Sequence, residues 1–210
     1  MKSRRGRPAG KTGAALLHVA RAVFLERGFA GTSMEEVAVR AKISKSSLYR
    51  EHASKDALFE SVVLDWAAGG RDATQPALDD LAGSVDVRAG LIEWASKLRA
   101  GVLDESVVAM RRLVISEAPA HPDIAAKYLD QSWNTNISRL ADVLTSLTEA
   151  GRLDVRAPMT AAEHLVWLIV GSPLNAILLG VPSRPSREGV ENAVDLFLAQ
   201  HGVRQRTQVD

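Results

Sequence analysis

The chain is predicted to be all-α, and three observations carry that prediction. Ala occurs 31 times and Leu 24 times among 210 residues, while aromatic residues are only 5%, a mix that favours helix over sheet. Apolar residues recur at spacings of three and four through most of the chain, the period of a half-buried helix. No alternating apolar and polar run extends beyond a few residues, so no half-buried strand is announced. With 24% charged and 46% hydrophobic residues, the chain can bury a core, which excludes an intrinsically disordered protein. About nine helices are expected.

The elements follow in order. Leu16, Val19, Ala20, Val23 and Phe24 share one face of a first helix, about residues 13–27. Gly28 is placed to end it in a left-handed conformation, with Phe29 folding back on Phe24. Ser33 with Glu36 forms a capping box for a second helix whose apolar side is Met34, Val37, Ala38 and Ala41. Lys42-Ile43-Ser44 makes a three-residue turn, and Ser44 caps a short third helix, about 45–52. Ser54 caps a fourth, expected to fade at Gly69-Gly70. A short piece is expected at 76–81, then helices at 86–102 and 104–118. Pro119 and Pro122 break the chain before a long helix at 123–150. Thr160 with Glu163 reads as a second capping box, opening a helix to about Gly180. A last helix runs to about His201.

Charge divides the chain. Residues 1–55 hold twelve Lys/Arg against four acids, a balance of +8, while the rest holds 14 against 21. A basic head joined to an acidic body points to polyanion binding by the head. Cysteine is absent, which removes disulfides, thiolate nucleophiles and cysteine metal sites. His18, His52, His121, His164 and His201 include no pair three or four apart, so no metal pair shares a helical face. No metal or cofactor is expected. There is no Gly-x-Ser-x-Gly elbow and no P-loop, so no enzyme is expected. Residues 1–11 are charged without a long apolar run behind them, which argues against a signal peptide. The most apolar stretch, 165–181, contains Ser172, Pro173 and Asn175 and reads as a buried helix rather than a membrane span. The cytoplasm is the expected location.

The second helix, the turn and the third helix make a helix-turn-helix, a unit that places its second helix in the DNA major groove. Lys45, Ser46 and Ser47 open that helix with short polar side chains that let the backbone approach base edges. Leu48 faces the core, and the Tyr49 hydroxyl can reach a phosphate. Lys55 lies in the first turn of the next helix, whose N–H groups attract phosphate.

The stretch GFAGTSMEEVAVRAKISKSSLYREHASKDAL, residues 28–58, resembles the DNA-binding head of the tetracycline-repressor (TetR) family. The matching residues are Gly28-Phe29, Gly31-Thr32-Ser33, Ala41 to Ser44, Leu48-Tyr49, and Ser54-Lys55 before Leu58. Residues 111–130 and 161–171 are similar to the AefR-like branch. The resemblance implies a flexible basic arm at 1–11, a head at 12–68, an effector-binding and dimerisation domain at 69–203 and a loose tail at 204–210. It implies DNA contacts by Ser33, Lys42, Ser44, Lys45, Ser46, Ser47, Tyr49, Arg50 and Lys55. Three positions depart from the family pattern. Lys42 stands where Gly is usual, at a cost of roughly 1 kcal/mol if left-handed, which a phosphate contact could offset. His52 stands in an aromatic slot. Glu51 puts an acid at the groove end of the recognition helix, either repelling phosphate or accepting from a cytosine amino group. Arg4, Arg5 and Arg7 belong either to a solubilising tail or to an arm entering an A·T-rich minor groove.

The implied partners are palindromic double-stranded DNA, a small effector and a second copy of the chain. Trp94, Met110, Trp133 and Trp167 belong either to ordinary core packing or to the lining of a pocket for an apolar or aromatic effector, and Asn134, Asn136 and His121 are either surface or capping groups or its polar contacts. Leu165, Leu168, Ile169 and Ile177, with Val190, Val194, Phe197 and Leu198, form stripes suited either to a four-helix dimer interface or to packing within the chain. The expected activity is transcriptional regulation, repression released by effector. The alternative is an architectural protein that binds A·T-rich DNA through the arm.

Overall fold

A computed structural model of the chain describes residues 13–182 and 187–203. Among the described residues there is no strand. The elements are α1 (Ala14–Gly31), α2 (Met34–Ala41), α3 (Lys45–Glu51), α4 (Lys55–Gly83), α5 (Val87–Val102), α6 (Glu105–Glu117), α7 (Pro122–Tyr128), a π-helical turn (Leu129–Asn134), α8 (Thr135–Glu149), α9 (Pro158–Leu178) and α10 (Arg187–His201). Two compact units divide the chain. Residues up to Ala68 and Ala109–Tyr128 form the first, and Gly69–Val108 with residues from Leu129 onward form the second.

In the first unit, α1 buries Leu16, Ala20, Val23 and Phe24 along one stripe. Gly28 has φ 69° and ψ 173°, a region open essentially to glycine alone. The kink lets Phe29 stack on Phe24 with ring centroids 6.0 Å apart, and Phe59 of α4 packs against both at 5.2 and 5.1 Å. Met110, Leu113 and Val114 of α6, with Ile124 and Tyr128 of α7, complete this core. The segment 109–128 therefore packs with the head.

In the second unit, α8 and α9 pack together, and α10 lies against α5 and α9. α9 buries Ala161, Ala162, Leu165, Val166, Ile169, Val170 and Leu174, a wide stripe at helical period. It is long and apolar enough to cross a membrane by composition, yet this stripe is core. Its start differs from the expected capping box. Ala157 is the N-cap and Pro158 opens the helix, because proline's fixed φ suits the first helical position; Thr160 and Glu163 lie inside.

Two further expectations are corrected. α4 does not fade at Gly69-Gly70 but continues through Pro76 to Gly83. Two glycines cost about 1 kcal/mol each, and burial of Ala77, Leu78 and Leu81 in the second core outweighs that. The helix expected across 123–150 is instead α7, the π-helical turn and α8. At the far end, Leu153 bridges Gly202, and the Asp154 N–H donates to the His201 carbonyl at 2.7 Å. A side chain at Gly202 would meet the Leu198 carbonyl at 2.6 Å.

Candidate nucleic-acid interface

Local caps set the helix-turn-helix. The Ser33 hydroxyl accepts from the Glu36 N–H at 3.1 Å, and the Ser44 hydroxyl accepts from the Ser47 N–H at 3.1 Å. Each satisfies one orphan donor, worth about 1 kcal/mol. The capping box at Ser33 is half formed, because the Glu36 carboxylate accepts from Arg40 instead at 2.6 Å. Between the helices, Lys42 adopts φ 60° and ψ 34°. It is the one non-glycine residue with positive φ among the described residues. Its N–H bonds back to the carbonyls of Ala38 and Val39.

The buried side of α3 is Leu48, so Lys45, Ser46, Tyr49 and Arg50 lie on the exposed side. Tyr49 is 43% exposed. The Ser44 hydroxyl lies 3.0 Å from that of Ser46 and 2.8 Å from that of Ser47, a polar knot at the front of the helix. Lys45 donates to Glu35 of α2 at 2.8 Å. That hydrogen bond, reinforced by attraction, lowers the Glu35 carboxyl below its ordinary pKa and raises the Lys45 ammonium above its own. Arg40 and Arg27 form a network with Glu26 and Glu36. No ion pair among the described residues involves Lys42 or Arg50, and both are exposed. Glu51 is also exposed. His52, half-buried, ends α3 with its Nδ1 3.3 Å from the Ser61 hydroxyl.

Lys55 opens α4, as its position in the sequence led us to expect. Its ammonium donates to the carbonyls of Phe29 at 2.8 Å and Thr32 at 3.1 Å, and lies 4.4 Å over the Phe29 ring. The charge is thus taken up at the end of α1, where the Phe29 carbonyl also accepts from the Thr32 N–H at 3.2 Å. Arg4, Arg5 and Arg7 lie outside the described residues.

The five effector candidates are divided between the two units. Met110 is fully buried in the first unit's core, and Trp94 is buried in the second unit's core. Trp133, half-buried, has its ring 5.1 Å from that of Trp167, which is 46% exposed. Asn134 is exposed at the end of the π-helical turn. The interface stripe is also corrected. Leu165, Ile169, Val190, Val194 and Phe197 belong to the second unit's own core, because α9 packs on α8 and α5 and α10 packs on α5 and α9. Ile177 and Leu198 are half-buried, and Leu168 is 51% exposed. The apolar side chains left outside on α9 and α10 are instead Met159, Trp167, Leu168 and Leu196.

Two family descriptions match this chain. Residues 16–62 match the bacterial regulatory proteins of the tetR family, and residues 89–203 match the AefR-like transcriptional repressor C-terminal domain. A TetR-family transcriptional regulator from Mesorhizobium loti MAFF303099 is 29% identical over 90% of this chain and 95% of its own, with a TM-score of 0.85. The flavonoid-responsive regulator FrrA is 28% identical over 90% of this chain and 96% of its own, with a TM-score of 0.76. The uncharacterised HTH-type transcriptional regulator YdeS of Bacillus subtilis is 37% identical over 68 residues, which span 32% of this chain and 34% of that protein.

Proposed function

Since the chain belongs to the TetR family of transcriptional regulators, with an AefR-like C-terminal domain, we propose that it is a dimeric, cytoplasmic repressor released from a palindromic operator by a small effector. The observation that carries this reading is the exposed side of α3. A Ser44-capped helix presents Ser46, Tyr49 and Arg50 outward, next to Lys42 in the turn before it, and neither cation has an ion pair among the described residues. Small hydroxyls suit close approach to base edges, and cations suit the flanking phosphates. Ser33, Ser44 and Ser47 support the surface by fixing helix ends. Lys45 reaches DNA only by leaving Glu35. Lys55 serves the fold of the head.

Dimerisation would use the outward side chains of α9 and α10, Trp167, Leu168 and Leu196, rather than the buried stripe. Two copies would place two recognition helices about one DNA turn apart, ~34–36 Å. An effector would act by preferring the conformation that cannot span that distance, and only by as much as its affinity differs between the two states.

Footprinting the DNA upstream of the chain's own coding region tests the reading. Protection of a palindrome with half-sites one turn apart is the expected result. Binding to A·T tracts without symmetry would favour the architectural alternative, and no binding would overturn both.

A further inference from the structure

We propose that the second unit holds a small aromatic acid, an organic anion on a flat ring, through Arg71 and Arg139. The proposal rests on the effector-binding reading above and names its ligand class.

Both guanidiniums are half-buried, and both are held by neutral partners. Arg71 donates to the Gln131 carbonyl, and Arg139 donates to the Arg71 carbonyl at 3.2 Å. No ion pair among the described residues involves either one. A guanidinium withdrawn from water ordinarily gains an anionic partner. Here two gather at one stretch of backbone with carbonyls alone, and each keeps N–H donors in the fork that matches a carboxylate.

The backbone around them is irregular on both sides. Pro76, which has no N–H to give the helix, stands inside α4 little more than one turn after Arg71, and Gln131 lies in the π-helical turn. Such turns occur frequently at functional sites. Further polar groups meet here. The Thr74 hydroxyl lies 2.9 Å from the Arg71 carbonyl and 3.2 Å from Asn136 Oδ1. Trp133 occupies the same π-helical turn and packs against the second unit's core. It lies two residues after Gln131, whose carbonyl Arg71 holds, and a flat apolar side chain with two guanidiniums is the combination that suits an aromatic acid.

The test titrates the full chain with 2-naphthoate and with the neutral 2-naphthamide at fixed ionic strength, read by tryptophan fluorescence and calorimetry. Naphthoate should bind at least about tenfold more tightly than the amide, the effect of a hydrogen bond to a charged group. Arg139→Gln should lose about tenfold for the acid and leave the amide unchanged, and Arg139→Lys should recover part of the loss, because it keeps the charge without the fork. Circular dichroism checks that each variant is folded. Equal binding of acid and amide, binding of neither, or wild-type acid binding by folded Arg139→Gln would overturn the site. Binding to the footprinted DNA is measured on the same samples. Intact DNA binding without naphthoate binding removes the site and leaves the regulator standing; loss of DNA binding in the wild type removes the regulator.

Discussion

The two units differ in what they leave unmatched. The first builds its core around packed rings, Phe24, Phe29 and Phe59, and among the described residues leaves Lys42 and Arg50 exposed without an ion pair. The second leaves large apolar side chains, Trp167, Leu168 and Leu196, in water and keeps two guanidiniums half-buried against carbonyls. An unmatched exposed cation costs little in water and attracts a polyanion at a distance. An exposed apolar patch gains only by contact. On the proposed reading the first unit suits a polyanion, and the second suits contact with another surface.

The largest expected effect breaks the second unit. Phe197 is 4% exposed within its core. Phe197→Glu should cost ~3 kcal/mol or more through lost packing and a buried charge, and cooperative thermal unfolding of that unit should be lost. Leu168→Glu with Leu196→Glu is the contrasting pair, on side chains already 51% and 64% exposed. Helical content should survive while sedimentation shows a monomer. A dimeric double variant would move the interface elsewhere.

Next is the head. Lys55→Met removes a charged donor from two carbonyls and should lower stability by about 1.5–3 kcal/mol, read from the denaturation midpoint. Operator and unrelated DNA should weaken alike. Unchanged stability with weaker DNA binding would return Lys55 to a phosphate contact.

Lys42→Gly separates strain from function. Relief of the left-handed backbone should raise stability by about 1 kcal/mol. DNA affinity should fall, with the salt slope reduced by about one charge equivalent. An unchanged slope would mean that Lys42 touches no phosphate.

The smallest effect is electrostatic. Arg88 grips Asp195 with two hydrogen bonds at 2.7 and 2.9 Å, and these, with charge attraction, hold the Asp195 carboxyl below its ordinary pKa. A lowered folded value means that the stabilisation is complete above the ordinary range, about pH 4, and disappears as pH falls through the folded value. Asp195→Asn should flatten the acid limb of the stability curve slightly and leave pH 7 nearly unchanged, as expected for an exposed pair.

What the sequence revealed was local. Ser33 and Ser44 act on residues three positions away, so their capping roles were legible from spacing. The fold of Phe29 onto Phe24 was legible for the same reason, because Gly28 lies between them. The missed features depend on distant residues. Lys55 finds its carbonyls 23 and 26 positions upstream. The end of α4 was set by burial of Leu78 and Leu81 rather than by Gly69-Gly70. The stripe through Phe197 was read correctly as a face, but periodicity does not say whether a face meets its own chain or another. The Arg71 and Arg139 cluster left no motif, because its partners are backbone carbonyls and every residue has one.

The bridge between Leu153 and Gly202 has a practical consequence for protein engineering. A reporter fused after Val203 would begin from a point pinned to the loop between α8 and α9, so its attachment inherits that anchorage. Replacing Gly202 to ease cloning would push a side chain into the Leu198 carbonyl and release the anchor. A fusion boundary should therefore preserve residues 201–203 and place any spacer after them.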